Sequence, residues 1–297
     1  MNRRDFIRKG SIAVAGLGIS GLFKGRGDGL LFADEGFSEI VSAKGDDIQG
    51  STVKVIDALG GMGKFVKRGA KVVIKPNIAW DRSPEDAATT HPEVVAAIVT
   101  LCKKCSPAEV VVTDNPCNKW NVTSVTTGIK EAAEKAGAIV RAPLQFRKVT
   151  IPDAQVLTEA EILEDVLNAD VVINVPVVKV HSGAKVTVAM KNLMGVVKDR
   201  GFFHRTDLHR CIAEISRYVK PALTVIDATR ILLTRGPQGP GEVKHLGIVA
   251  GGTDFVALDA YGSGLLGVNP QSVPHITIAS SMNLGISDMS RIKVRNV

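Results

Sequence analysis

Residues 171–181 read VVINVPVVKVH. Apart from Asn174 and Pro176, the run is β-branched and apolar until Lys179. A continuous run of this kind marks a strand covered on both faces, as in a sheet sandwiched between helices. Shorter runs repeat the pattern: KVVIKPN at 71–77, EVVVTD at 109–114, ALTVID at 222–227 and HLGIVA at 245–250. Helix-like segments lie between them. One is expected after a Ser51 cap, and one over HPEVVAAIVTLCKKC, capped by Thr90 with Pro92 in its first turn. Others are expected near 122–136, 159–168 and 207–219, with a short strand at 138–141 and a last helix opened by Asp254. The alternation predicts an α/β fold: a largely parallel, mixed sheet with helices on both faces.

The chain has 297 residues, of which 45% are apolar and only 4% aromatic. Its core is therefore built from Val, Ile, Leu and Ala. The formal charge is +7, but six basic and two acidic residues lie in 1–33, leaving +3 for the rest. No basic stripe interleaved with aromatics is present, which argues against nucleic acid as a partner. No GxGxxG follows a strand, which disfavours nicotinamide binding by that route.

Residues 1–33 read as an address. Arg3-Arg4-Asp5-Phe6-Ile7, followed by a short, weakly apolar stretch rich in Gly and Ala, resembles a twin-arginine export signal. Export by that translocase would place the protein in the periplasm or on the outer face of the cytoplasmic membrane. It would also favour a cofactor acquired before export, whether a transition metal, an iron–sulfur cluster or an organic group, and a redox partner protein. Residues 34–50 read as a polar linker, and 51–297 as a single α/β domain.

In open α/β sheets, ligands sit beyond the carboxyl ends of the strands. Lys75, Asn77, Asp114, Asn174, Lys179, His181 and Asp227 all fall at such ends, and Lys191 and Asn192 follow closely. Ammonium groups converging on one rim repel one another unless an anion lies between them. Lys75, Asn77, Asn174, Lys179, Lys191 and Asn192 are therefore the expected binding residues for a small anion. His181, His204 and Asp227 are the candidates for chemistry. Cys117 with His204 and His209 is a candidate metal set. A lysine depressed by its neighbours is also suited to act as a general base or Schiff-base amine. Cys102 and Cys105 form a CxxC at the wrong end of their helix for a reactive thiol and read as structural, at most a disulfide formed after export; Cys211 falls on an apolar stripe and reads as core.

Six stretches in this order carry a family resemblance: VVIKPN, THPEVVAAIV, INVPVVKVH, MKNLMG, TVIDATR with GPQGP, and GTDFVALDAYGSGLLG. On them the sequence resembles the bacterial and archaeal family labelled domain of unknown function 362, over roughly residues 70–270. The resemblance implies an α/β domain with no assigned activity and no established catalytic residues. Some relatives carry ferredoxin-type cysteine runs and bind iron–sulfur clusters, but this chain has no such run. The expected function is an exported protein that binds a small anion or redox cofactor, acting as an enzyme. A non-catalytic cofactor carrier and a metal-dependent hydrolase are the alternatives.

Overall fold

The computed structural model describes residues 36–297; the stretch read above as a twin-arginine signal lies outside them. The strands in chain order are β1 (Ser38–Lys44), β2 (Lys71–Pro76), β3 (Glu109–Val112), β4 (Ile139–Val140), β5 (Phe146–Thr150) and β6 (Glu159–Leu163). They continue as β7 (Val171–Val175), β8 (Val177–His181), β9 (Lys185–Thr187), β10 (Leu223–Leu232), β11 (Val243–Gly252) and β12 (Ile292–Asn296). The helices are α1 (Ile48–Ala58), α2 (Pro92–Lys104), α3 (Trp120–Thr126), α4 (Ile129–Lys135) and α5 (Glu164–Asn168). They end with α6 (Ala189–Asn192), α7 (Gly201–Arg205), α8 (Leu208–Val219), α9 (Phe255–Leu265) and α10 (Pro274–Ser281).

One ten-stranded mixed sheet dominates, in the order β12-β1-β11-β10-β7-β2-β3-β4, with β8 and β9 continuing from β10. The β10-β7-β2-β3-β4 stretch is parallel, and β11 is antiparallel to both its neighbours. The β-branched runs alternate between two buried clusters. Val72, Ile74, Ile173 and Val175 face α1, α2 and α4, while Val73 and Val172 face α6, α8, α9 and α10. Each fully buried Val or Ile side chain contributes about 1.5–3 kcal/mol, so both helix layers are held by the same strands.

Several boundaries differ from the sequence expectation. Residues 34–50 are not simply a linker: β1 lies inside the sheet, parallel to β12 and antiparallel to β11, with Ile40 and Val41 fully buried. Asp47, not Ser51, caps α1, accepting from Gly50 N at 2.8 Å. His91, not Thr90, caps α2, its Nδ1 accepting from Glu93 N at 3.2 Å. Residues 159–163 form a strand rather than a helix. Their burial alternates with period two, and they pair with β5 in a separate two-stranded sheet. Among the described residues no helix is long and apolar enough to cross a membrane.

Candidate functional site

Strand alternation places the key side chains. Val73 and Val172 point to the α6 face, so two residues further along Lys75 and Asn174 point there too, and they are register partners. Both meet Asn192 at the end of α6. Asn192 Nδ2 donates to Asn174 Oδ1 at 2.8 Å, and its Oδ1 accepts from Lys75 Nζ at 3.1 Å and from Asn77 Nδ2 at 3.0 Å. Asn174 Nδ2 in turn donates to Ala189 O at 2.9 Å. These buried amides have few degrees of freedom left and fix α6 against the strand ends. The start of α6 is held by Asp259, whose carboxylate accepts from the backbone N–H of Ala189 and of Met190.

Lys75 is closed off completely. Its ammonium meets Asp114 Oδ1 at 2.7 Å, Pro76 O at 2.7 Å and Asn192 Oδ1 at 3.1 Å, which uses all three protons. Burial depresses its pKa, and Asp114 works against that fall. Gly195 is required beside this pair: a Cβ there would lie 2.0 Å from Asp114 Oδ1 and 2.7 Å from Lys75 Nζ.

Above this floor lies a cleft of about 500 Å³, lined by Lys75, Asn77, Cys117, Lys179, His181 and Lys191 among others. Lys179 is only 1% exposed; its Nζ donates to Ala88 O and to Pro237 O, without a carboxylate partner. Burial first, then the charge of Lys191, lowers it to about 7. Lys191 is half-buried, and its Nζ has no hydrogen-bond acceptor or ion-pair partner among the described residues. Burial lowers it to about 8, with Arg200 and Lys75 adding to the fall and Cys117 opposing it. Arg200 Nη1 rests 3.4 Å from Cys117 Sγ, while Nη2 donates to Pro116 O at 2.7 Å. Thr187, the cross-strand partner of Lys179, lines the same cleft, and its buried Oγ1 has no partner among the described residues. Lys198, also on the wall, is paired with Glu161 at 2.8 Å, and Asp199 with Arg205 at 2.7 Å. The charges left uncompensated in the cleft are therefore those of Lys179, Lys191 and Arg200.

His181 Nδ1 accepts from Gly183 N at 3.0 Å and Ala184 N at 3.1 Å, so a neutral ring carries its proton on Nε2. Burial, then Lys191 and Lys179, pushes its pKa down to about 2. His181 is therefore neutral near pH 7 and presents its Nε2–H as a donor. The exposed His204 ring stacks on it, with centroids 6.4 Å apart and planes at 18°.

A smaller cleft of about 190 Å³ sits at the opposite ends of β2 and β3, near Arg141. Arg141 is matched there by Asp165 and Glu109.

A family model matches residues 72–264. The chain belongs to the family described as domain of unknown function (DUF362). It is 28% identical over 252 residues to a thylakoid-associated protein of Synechocystis sp., covering 78% of this chain and 74% of that protein. A structural similarity is found to the lactate racemase apoprotein from Thermoanaerobacterium thermosaccharolyticum. There the TM-score is 0.46 and the identity 10%, over 76% of this chain and 56% of that one.

Of the residues singled out in this DUF362 chain, Lys75, Asn77, Cys117, Lys179, His181, Lys191, Asn192 and His204 line one cleft, and Asn174 lies just beneath it. Asp227 does not join them. It sits within β10, fully buried, accepting from His91 N at 2.7 Å, from Thr229 N and Oγ1, and from Arg230. With its oxygens so engaged, it pins the segment before α2 and is not placed for acid–base chemistry. His209 also points elsewhere, its Nδ1 3.2 Å from His275 Nδ1. The Cys117, His204 and His209 set is thus not assembled. Among the described residues no three His, Cys, Asp or Glu side chains stand close enough to hold a metal ion. Thr187, Gly195 and the Pro237 carbonyl were missed from sequence. Gly195 had a signal, as the last residue of MKNLMG, and so did Pro237, within GPQGP; Thr187 had none.

Proposed function

We propose that the cleft binds a small anion, a carboxylate or phosphate, through Lys179, Lys191, Arg200 and Thr187, and that it is an enzyme's substrate site. The observation that carries this is the uncompensated charge of Lys179, Lys191 and Arg200 around one cleft whose lining acids, Asp114 and Asp199, are spent on Lys75 and Arg205. Bringing like charges together in a poorly solvated site is unfavourable, and an anion reverses the sign of that term. The neutral Nε2–H of His181 adds a hydrogen-bond donor suited to an oxyanion. Export by the twin-arginine route belongs to the same proposal. Lysine substitution of Arg3 and Arg4 should retain the chain in the cytoplasm, and unchanged fractionation would remove that part.

Thermal shift tests the anion site. Phosphate, oxalate and lactate are compared with chloride at equal ionic strength. A ligand at 100 times its Kd stabilises by about 2.7 kcal/mol, a shift easily seen. At least one anion should raise the melting temperature of the wild type but not of Lys179→Ala or Lys191→Ala. Equal melting in all salts would remove the proposal.

A further inference from the structure

Lys75, Lys179 and Lys191 line the cleft in three different states. Lys75 has three acceptors for three protons. Lys179 is tethered to two carbonyls and almost wholly buried. Lys191 has no partner among the described residues and is reachable from the cleft. An amine with no acceptor, half-buried and surrounded by cations, is the setting in which lysine becomes a nucleophile. We infer that Lys191 is a covalent binding residue, condensing with the ketone of a small 2-oxo carboxylate to form an imine. This rests on the anion site proposed above, which would hold the carboxylate at Lys179, Thr187 and Arg200.

The step balances without any oxidant. The neutral amine of Lys191 attacks the carbonyl carbon; a C–N bond forms as the C=O π bond breaks. The carbinolamine then loses its oxygen as water, taking both amine protons in net. Burial together with Arg200 and Lys75 keeps Lys191 near 8, so part of it is unprotonated at neutral pH. His181 and His204 lie close enough to Lys191 for its charge to lower both. Of the two, His204 is exposed and so exchanges protons with water, which suits it to protonate the departing oxygen. His181 is held neutral and suits the role of hydrogen-bond donor to that oxygen.

The test is reductive trapping on the full chain. Pyruvate and sodium cyanoborohydride are added, with and without oxalate, and peptides are read by mass spectrometry. One adduct is expected, on the peptide carrying Lys191, heavier by pyruvic acid less one oxygen atom. Oxalate should suppress it, and it should vanish in Lys191→Arg, which keeps the charge and serves as the folding control. No adduct, an adduct on Lys179 or scattered over surface lysines, or an adduct that oxalate leaves untouched would overturn the inference. Thermal shift by oxalate, which has no ketone, separates the two proposals. Stabilisation by oxalate without any adduct removes the imine and leaves the anion site, whereas no stabilisation by oxalate, pyruvate, lactate or phosphate removes the anion site itself.

Discussion

Asp114→Asn isolates the buried charge beneath the cleft. Lys75 keeps Pro76 O and Asn192 Oδ1 but loses the carboxylate 2.7 Å away. The new amide oxygen keeps accepting from Ile78 N, now served by Asp114 Oδ2 at 2.8 Å, only by turning its NH₂ toward the ammonium. Removing one member of a buried pair costs about 3–5 kcal/mol. A separate ceiling comes from titration. The cheapest relief is for Lys75 to fold uncharged, and from its ordinary value of 10.5 that costs about 5 kcal/mol at pH 7. A loss of about 3–5 kcal/mol is therefore expected, a large share of a typical domain's stability. The pH dependence has a definite sign. Burial lowers Lys75 in the folded state, so the unfolded chain binds more protons and stability rises with pH until 10.5 is passed. Asp114 opposes that fall, so the variant should gain stability with pH more steeply than the wild type. Urea unfolding followed by circular dichroism, at about pH 7 and about pH 9, measures both quantities. A loss below about 1 kcal/mol with parallel pH profiles would refute the buried pair as described.

Gly195→Ala should cost about 1–3 kcal/mol by overpacking the Lys75–Asp114 pair, read by the same unfolding assay. Asp259→Ala frees two buried N–H groups at the start of α6, with a loss of about 1–3 kcal/mol for each left unsatisfied, and should also weaken anion binding through Lys191. Cys117 is exposed in the cleft while Cys102 and Cys211 are buried, so maleimide should label Cys117 first. A bound anion at ten times its Kd should slow that labelling about tenfold by mass action.

The strands β2, β3 and β7 were legible because both faces are covered, which leaves an unbroken β-branched run. Strand β1 was hidden because two of its inward positions are Ser38 and Ser42, small hydroxyls that read as linker yet are buried in the sheet. The helix-favouring Glu and Ala of EAEIL masked β6, which is fixed by pairing with β5 and by Ala160, Ile162 and Leu163 packing into the core. Lys75, Asn77, Lys179, Lys191 and Asn192 were legible because each interrupts or ends an apolar run near a strand's carboxyl end. Asp227 looked equivalent, but β10 runs on through a register shift to Leu232, so the acid lies within the strand and serves Arg230 and His91. Thr90 looked like a cap, and instead bridges Asn77 N and Val175 O, at 2.8 and 2.7 Å. Such links join residues far apart in sequence, and no local pattern announces them.

The most direct test of the anion cleft is calorimetric titration with oxalate near pH 8, in two buffers of different ionisation heat. Lys179 and Lys191 are held near 7 and near 8, so both are partly neutral there, and a bound anion should draw protons onto them. The observed heat should depend on the buffer, reporting proton uptake, and the affinity should fall as pH rises from about 6 to about 9. Lys191→Ala should reduce the uptake. No binding heat, or buffer-independent binding that survives replacement of both Lys179 and Lys191 by alanine, would contradict the account.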